Sequence, residues 1–222
     1  MTRPLLLASA SPRRRELLAQ LGLQFTVAPV DIDESPWPGE APVALVSRLS
    51  RAKAEAALGA ADPQQWVLGA DTVVALEQEI LGKPGNGVAA AAMLRRLSGR
   101  GHTVYSGLYL ARRDHSGHGR SVRTRVRMRA IEDAEITAYV ATGEPLGKAG
   151  AYAIQGRAAA FVRCIAGSYS NVVGLPLFEL EAMLRGLPDP PGRVGSGPWP
   201  RPTNAPAIAA RGRSHEGMLR GA

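Results

Sequence analysis

The stretch WVLGADTVVAL, residues 66–76, constrains this chain more than any other: it is apolar or small throughout apart from one aspartate. Such a valine-rich run is expected as a central strand covered on both faces. Asp71 then lies where water does not reach, and a buried carboxylate is costly unless it is paired or binds a metal. Gly69, two residues earlier, is expected to break the strand, turn the chain toward a site and admit a ligand close to the backbone.

The rest of the chain alternates short strands with helices. LLLAS (5–9) is a short, continuously apolar strand, followed by a helix from Pro12 to Leu21 that Gly22 ends. A strand around FTVAPV (25–30), an irregular acidic stretch DIDESPWPGE (31–40) and a helix over 41–58 precede the central strand. Beyond it come a turn at GKPGN (82–86), a helix over 87–97, and two alternating strands, 102–112 and 120–130, joined by the polar loop RDHSGHG. A helix over 133–143, a glycine-rich segment at 147–157, a strand over 158–167 and a helix from Pro176 to Leu184 complete the pattern. Strands and helices mixed without strict alternation predict an α/β fold with a partly mixed, twisted sheet flanked by helices. Residues 188–222 hold seven prolines and six glycines with apolar residues scattered singly, so they are expected as a disordered tail on a 1–187 domain.

Charge and cysteine usage narrow the classes. No apolar run approaches a membrane span or a secretory core, which gives no membrane association and the cytoplasm as the expected compartment. The single cysteine, Cys164, cannot close an internal disulfide and is expected to pack in a buried strand. The net charge of +8 invites a nucleic-acid partner, but three of those charges belong to the tail. Arg123, Arg125, Arg127 and Arg129 share one strand face with no aromatic residues between them, the pattern of a solvated face rather than a base-stacking surface. Nucleic acid is therefore not the expected partner. His115 and His118 lie in a hairpin loop without further ligands and are not expected to bind metal.

The chemistry concentrates elsewhere. In ASASPRRRE (8–16), Ser11 and Pro12 begin a helix whose first turn holds Arg13, Arg14 and Arg15, although a helix N-terminus disfavours cations. Either the guanidinium groups fan into solvent, or an anion sits there and reverses the sign, held by exposed N–H groups and by arginine forks. Ser9, at the carboxyl end of the first strand, lies at the mouth of the same crevice. Arginine serves as the general cation of this chain, so its three lysines, Lys53, Lys83 and Lys148, are informative. Carboxylates such as Asp71 and those of DIDES (Asp31, Asp33, Glu34), together with Arg and Lys, are what cleavage at a triphosphate requires. The chain has neither a Walker-type phosphate loop nor a GxSxG elbow.

Taken together, LLLASASPRRRELLAQLGL, VDIDES, RAKAEA, LGADTVV, LGKP, MLRRLSGRGHTVYSG, GEPLGKAGAYAIQG and GSYSNVVGLPL resemble the Maf family of nucleoside triphosphate pyrophosphatases, from about residue 4 to 187. The resemblance implies a two-lobed, inosine triphosphatase-like fold around a nucleotide cleft. It also implies cleavage between the α- and β-phosphates with a divalent cation, magnesium or manganese, and a dimer would fit. By motif, Asp71 corresponds to the catalytic carboxylate and a metal ligand, Glu34 to a second metal-side carboxylate, and Ser9, Arg13, Arg14, Lys53 and Lys83 to phosphate contacts. The ADT and IQG patterns are similar to the branch acting on dTTP and UTP, in which Arg13, Thr72 and Gln155 correspond to specificity positions. The amide of Gln155 supplies the donor and acceptor that a pyrimidine edge demands. Two positions depart from that branch: Ala153 replaces a glycine, and Gly147 replaces an aspartate. The alternatives are the branch acting on 7-methyl-GTP and a non-catalytic regulator of cell division that binds nucleotide or nucleic acid.

Overall fold

The computed structural model describes residues 3–194. The chain runs through β1 (Leu5–Leu7), α1 (Pro12–Gln20), β2 (Phe25–Val27), α2 (Pro42–Ala57), β3 (Val67–Leu76), β4 (Glu79–Leu81) and α3 (Gly87–Leu97). It continues through β5 (Gly101–Arg112), β6 (His115–Met128), α4 (Asp133–Ala141), β7 (Val162–Ala166), α5 (Tyr169–Val173) and α6 (Leu177–Arg185). The strands form one mixed sheet ordered β2-β1-β3-β5-β6-β7, with β4 as an extra partner of β3. β1 pairs in parallel with β2 and β3, and every other pairing is antiparallel.

Helices cover the two faces unequally. On one face α1, α3, α4, α5 and α6 bury Leu18, Leu94, Leu97, Ile136, Val173, Leu180 and Leu184 against Leu5, Leu7, Leu68, Leu108 and Met128. On the other, α2 lies alone, with Leu45, Val46 and Leu49 against Val73, and Ala54 and Ala57 against Leu6, Ala8 and Val67. Because α2 does not reach the far edge, Arg123, Arg125 and Arg127 alternate to solvent while Thr124, Val126 and Met128 turn into the core, as the period of two requires. Cys164, expected in the core, is exposed: β7 is an edge strand, and Cys164 pairs with Arg127 on the uncovered face.

β3 runs through Gly69 without a break. A Cβ at Gly69 would lie 2.0 Å from the Ser50 carbonyl oxygen and 2.6 Å from the Ala54 nitrogen; at Gly107 on β5 it would lie 2.1 Å from the Val46 carbonyl oxygen. These glycines therefore admit the backbone of α2, not a ligand, and the break expected from the sequence is a contact point for that helix. Elsewhere, β6 begins at His115, so Arg113 and Asp114 alone form the hairpin loop. Residues 157–161 wind as a 3₁₀ turn before β7 instead of extending. Residues 188–194, grouped with the tail by composition, run back along the domain. The Asp189 carbonyl accepts from Trp66 Nε1 at 3.0 Å, the Gly192 carbonyl accepts from the Gln24 N–H at 2.8 Å, and Arg193 pairs with Glu181 at 2.6 Å. The rest of the tail, 195–222, lies outside the described residues.

Candidate active site

The sheet parts along one side of β3. β1 pairs with Val67 and Leu68, β4 with Val74 to Leu76, and between them Gly69 to Val73 have no neighbouring strand on that side among the described residues. The segments leaving β1 and β4 both open onto this gap, the first carrying Ser9 and the start of α1, the second Gly82 and Lys83. A cleft of about 560 Å³ lies there, and its walls include Ser9, Arg13, Arg14, Glu34, Lys53, Asp71, Thr72, Lys83 and Gln155. Nine candidates scattered over nearly 150 residues of sequence are thus brought to one opening. Asp31 and Asp33 are not among the walls; Asp33 instead caps its own loop by accepting from the Ser35 N–H at 2.9 Å.

Alternation along β3 sends adjacent residues to opposite faces of the sheet. Asp71 turns toward α2, where its Oδ1 accepts from Lys53 Nζ at 2.7 Å; both side chains are buried, at 9% and 8% exposure. Lys53 Nζ also lies 2.5 Å from Glu34 Oε1, and Lys83 Nζ lies 3.5 Å from Glu34 Oε2. One ammonium group is therefore clamped between two carboxylates that arrive from different segments. Partial burial opposes the charge on Glu34, but the hydrogen bond and charge of Lys53, aided by Lys83, prevail and hold its carboxyl below the usual range.

Thr72 turns the other way. Its Oγ1 lies 2.8 Å from Ser106 Oγ, donates to the Gly174 carbonyl at 3.2 Å and lies 3.4 Å from Arg14 Nη2. The Arg14 fork donates to the Gly174 carbonyl at 3.0 Å and to Ser9 Oγ at 3.0 Å, and Arg13 Nε donates to the Val173 carbonyl at 3.3 Å. The carbonyl groups at the end of α5 thus anchor two arginines from the start of α1, while Ser11 caps that helix by accepting from the Arg14 N–H. Burial lowers the pKa of Arg14, against the opposing pull of Asp71 and Glu34. Arg15 faces solvent. Five cations, Arg13, Arg14, Lys53, Lys83 and Lys148, thus face two carboxylates across the cleft, an excess that favours a polyanionic ligand.

A divalent cation fits this donor set. Glu34 and Asp71 already converge on a single cationic centre, Lys53 Nζ. Among the described residues no group of three or more His, Cys, Asp and Glu could hold a metal by itself. Two carboxylates completed by ligand phosphates and water is the usual environment of magnesium.

The Maf-like protein family model matches residues 4–187. The chain belongs to the Maf family. A dTTP/UTP pyrophosphatase of Myxococcus xanthus is 56% identical over 190 residues, which cover 84% of this chain and 94% of that protein. One from Geobacter sp. strain M21 is 53% identical over 182 residues, covering 82% and 94%. The dITP/XTP pyrophosphatase of Mycobacterium abscessus superposes with a TM-score of 0.37 at 15% identity over 58% of this chain and 75% of that one. In this Maf domain the cleft also draws on residues that motif reasoning left aside. Lys148, noted only as one of three lysines, donates to the Glu144 carbonyl at 2.6 Å, and burial and the nearby charge of Arg13 lower its pKa. Ser106 is fully buried beside Thr72, and Tyr152 lines the cleft with its hydroxyl 2.8 Å from His102 Nε2. Gly147 has φ of 69°, a conformation in which glycine is unstrained. Among the described residues no helix is long and apolar enough to cross a membrane.

Proposed function

We propose that this chain hydrolyses dTTP and UTP to the nucleoside monophosphate and pyrophosphate. The clamp of Lys53 between Glu34 and Asp71, at the centre of a cleft with excess positive charge, carries the reading. Lys53, Lys83, Arg13 and Arg14 bind the phosphate oxygens, and Ser9 Oγ adds a hydroxyl beside the Arg14 fork. As a triphosphate draws Lys53 and Lys83 toward its oxygens, Glu34 and Asp71 become available to a divalent cation. A magnesium or manganese ion held there would neutralise developing phosphate charge and polarise the anhydride.

Asp71 Oδ2 carries no protein hydrogen bond among the described residues, which leaves it to accept the proton of the attacking water as general base. Water adds to the α-phosphorus, the bond to the bridging oxygen breaks, and pyrophosphate leaves against the lysines and arginines. Thr72 orients Arg14 from behind, and Gln155, exposed on the cleft wall, offers a donor and an acceptor to the pyrimidine edge.

The test supplies dTTP, UTP and 7-methyl-GTP with magnesium or manganese and identifies the released product. Pyrophosphate from dTTP and UTP, lost on chelation and in Asp71→Asn, is the expected result. Release of orthophosphate, preference for 7-methyl-GTP, or full activity of Asp71→Asn would overturn it.

A further inference from the structure

Glu144 does not line the cleft, yet its carboxylate gathers the segment that does. Oε1 accepts from the Tyr139 hydroxyl at 2.8 Å, and Oε2 accepts from the Arg157 N–H at 3.1 Å. The Tyr139 oxygen in turn accepts from the Ala153 N–H at 3.2 Å. A Cβ at Gly156 would lie only 2.3 Å from Glu144 Oε1, so the carboxylate rests against the backbone immediately after Gln155. One acidic group thus fixes the backbone on both sides of Gln155, at Ala153 through Tyr139 and at Gly156 and Arg157 directly.

The chain leading into the first anchor is strained at one residue. Gly147, Gly150 and Ala151 have φ of 69°, 71° and 61°, and Ala151, which is fully buried, has no glycine freedom. Left-handed backbone at a non-glycine residue is costly and persists only where its surroundings impose it. No side-chain hydrogen bond among the described residues holds Gln155, so its backbone alone sets where the amide points. Each carboxylate oxygen of Glu144 takes a donor, and the Arg157 N–H cannot reverse its role, which calls for a group that accepts at both oxygens.

We propose that Glu144 is a positioning residue for base selectivity: it holds segment 147–156, and Gln155 with it, against the cleft. The proposal rests on the reading that Gln155 faces the pyrimidine base. The role needs both carboxylate oxygens. Glu144→Gln retains one acceptor and presents an amide N–H₂ to a donor, whereas Glu144→Ala removes every bond.

The experiment measures kcat and KM for dTTP, UTP and dCTP in wild type, Glu144→Gln, Glu144→Ala, Gln155→Ala and the Glu144→Gln/Gln155→Ala double variant, with a melting curve for each. In Glu144→Ala, KM for dTTP is expected to rise and the preference for dTTP over dCTP to fall, each by about 10- to 100-fold, with kcat changed far less. Glu144→Gln falls between, and it serves as the test if the alanine variant does not fold. Against Gln155→Ala, Glu144→Gln produces no further loss of selectivity. If the Glu144 variants lower kcat for all three substrates alike, or still erode selectivity without Gln155, the positioning role is refuted. Should Gln155→Ala itself leave selectivity intact, the base-reading assignment fails first, and the role of Glu144 falls with it.

Discussion

Replacing Gly69 with alanine tests the contact on which the site is built. The added methyl would lie 2.0 Å from the Ser50 carbonyl oxygen and 2.9 Å from Ala54 Cβ, whereas ordinary contacts begin near 3.4 Å. Neither neighbour is the end of a flexible side chain, so α2 must withdraw by roughly 1.4 Å, the difference between those distances. Overpacking of this kind costs about 1–3 kcal/mol, and more where backbone must move. The withdrawal carries Lys53 away from Asp71, stretching the 2.7 Å bond beyond hydrogen-bonding range. A displacement of about 1 Å at a catalytic group is enough to lower turnover roughly 100-fold. Urea unfolding followed by fluorescence reads the first effect, and pyrophosphate release from dTTP reads the second. If Gly69 served ligand approach instead, the variant would keep its stability and lose only affinity. A Gly69→Ala protein within about 0.5 kcal/mol of wild type, with raised KM and unchanged kcat, would refute the packing argument.

Two further outcomes follow from buried charge. Lys53→Met leaves Asp71 buried without its nearest partner, an arrangement that costs about 3–5 kcal/mol, and it removes one proposed phosphate contact, so kcat is expected to fall by roughly 100- to 1,000-fold; a variant that keeps a tenth of wild-type turnover would contradict the assignment. Burial pushes the His102 imidazole down from 6.5 to about 4, and its Nδ1 has no hydrogen-bond partner among the described residues. Above pH 6.5 the ring is neutral in both the folded and unfolded states and costs nothing. As pH falls from 6.5 toward 4 the unfolded chain takes up a proton that the folded state refuses, so stability drops by up to about 3 kcal/mol before levelling off. Urea midpoints at pH 7.5 and 4.5 should therefore differ less in His102→Asn than in wild type, and an equal difference in both would exclude His102 as the source.

Much of the site was legible because its chemistry is local. The Ser-Pro start of α1, the lone aspartate of β3 and the scarce lysines each stand out against an arginine-rich background, and all of them reach the cleft. What failed concerned covering. Period-two patterning identifies the two faces of a strand, but not whether a helix lies over one of them, which is why Cys164 reads as buried and is exposed. Gly69 looks the same in sequence whether a ligand or a helix approaches it, and that choice depends on where α2 crosses the sheet. β4 is only three residues long and sits beside a turn, so it leaves no periodic trace. The role of Glu144 depends on a backbone N–H more than ten residues away, and no composition or spacing announces it.

The carbonyl groups that anchor Arg13 and Arg14 belong to residues 160 positions further along the chain. On the ribosome the two arginines are therefore made long before the carbonyl groups that fix them. Until Gly174 has been synthesised the arginines carry charge without direction, so a fragment that stops short of it has the cations of this cleft but not their fixed geometry.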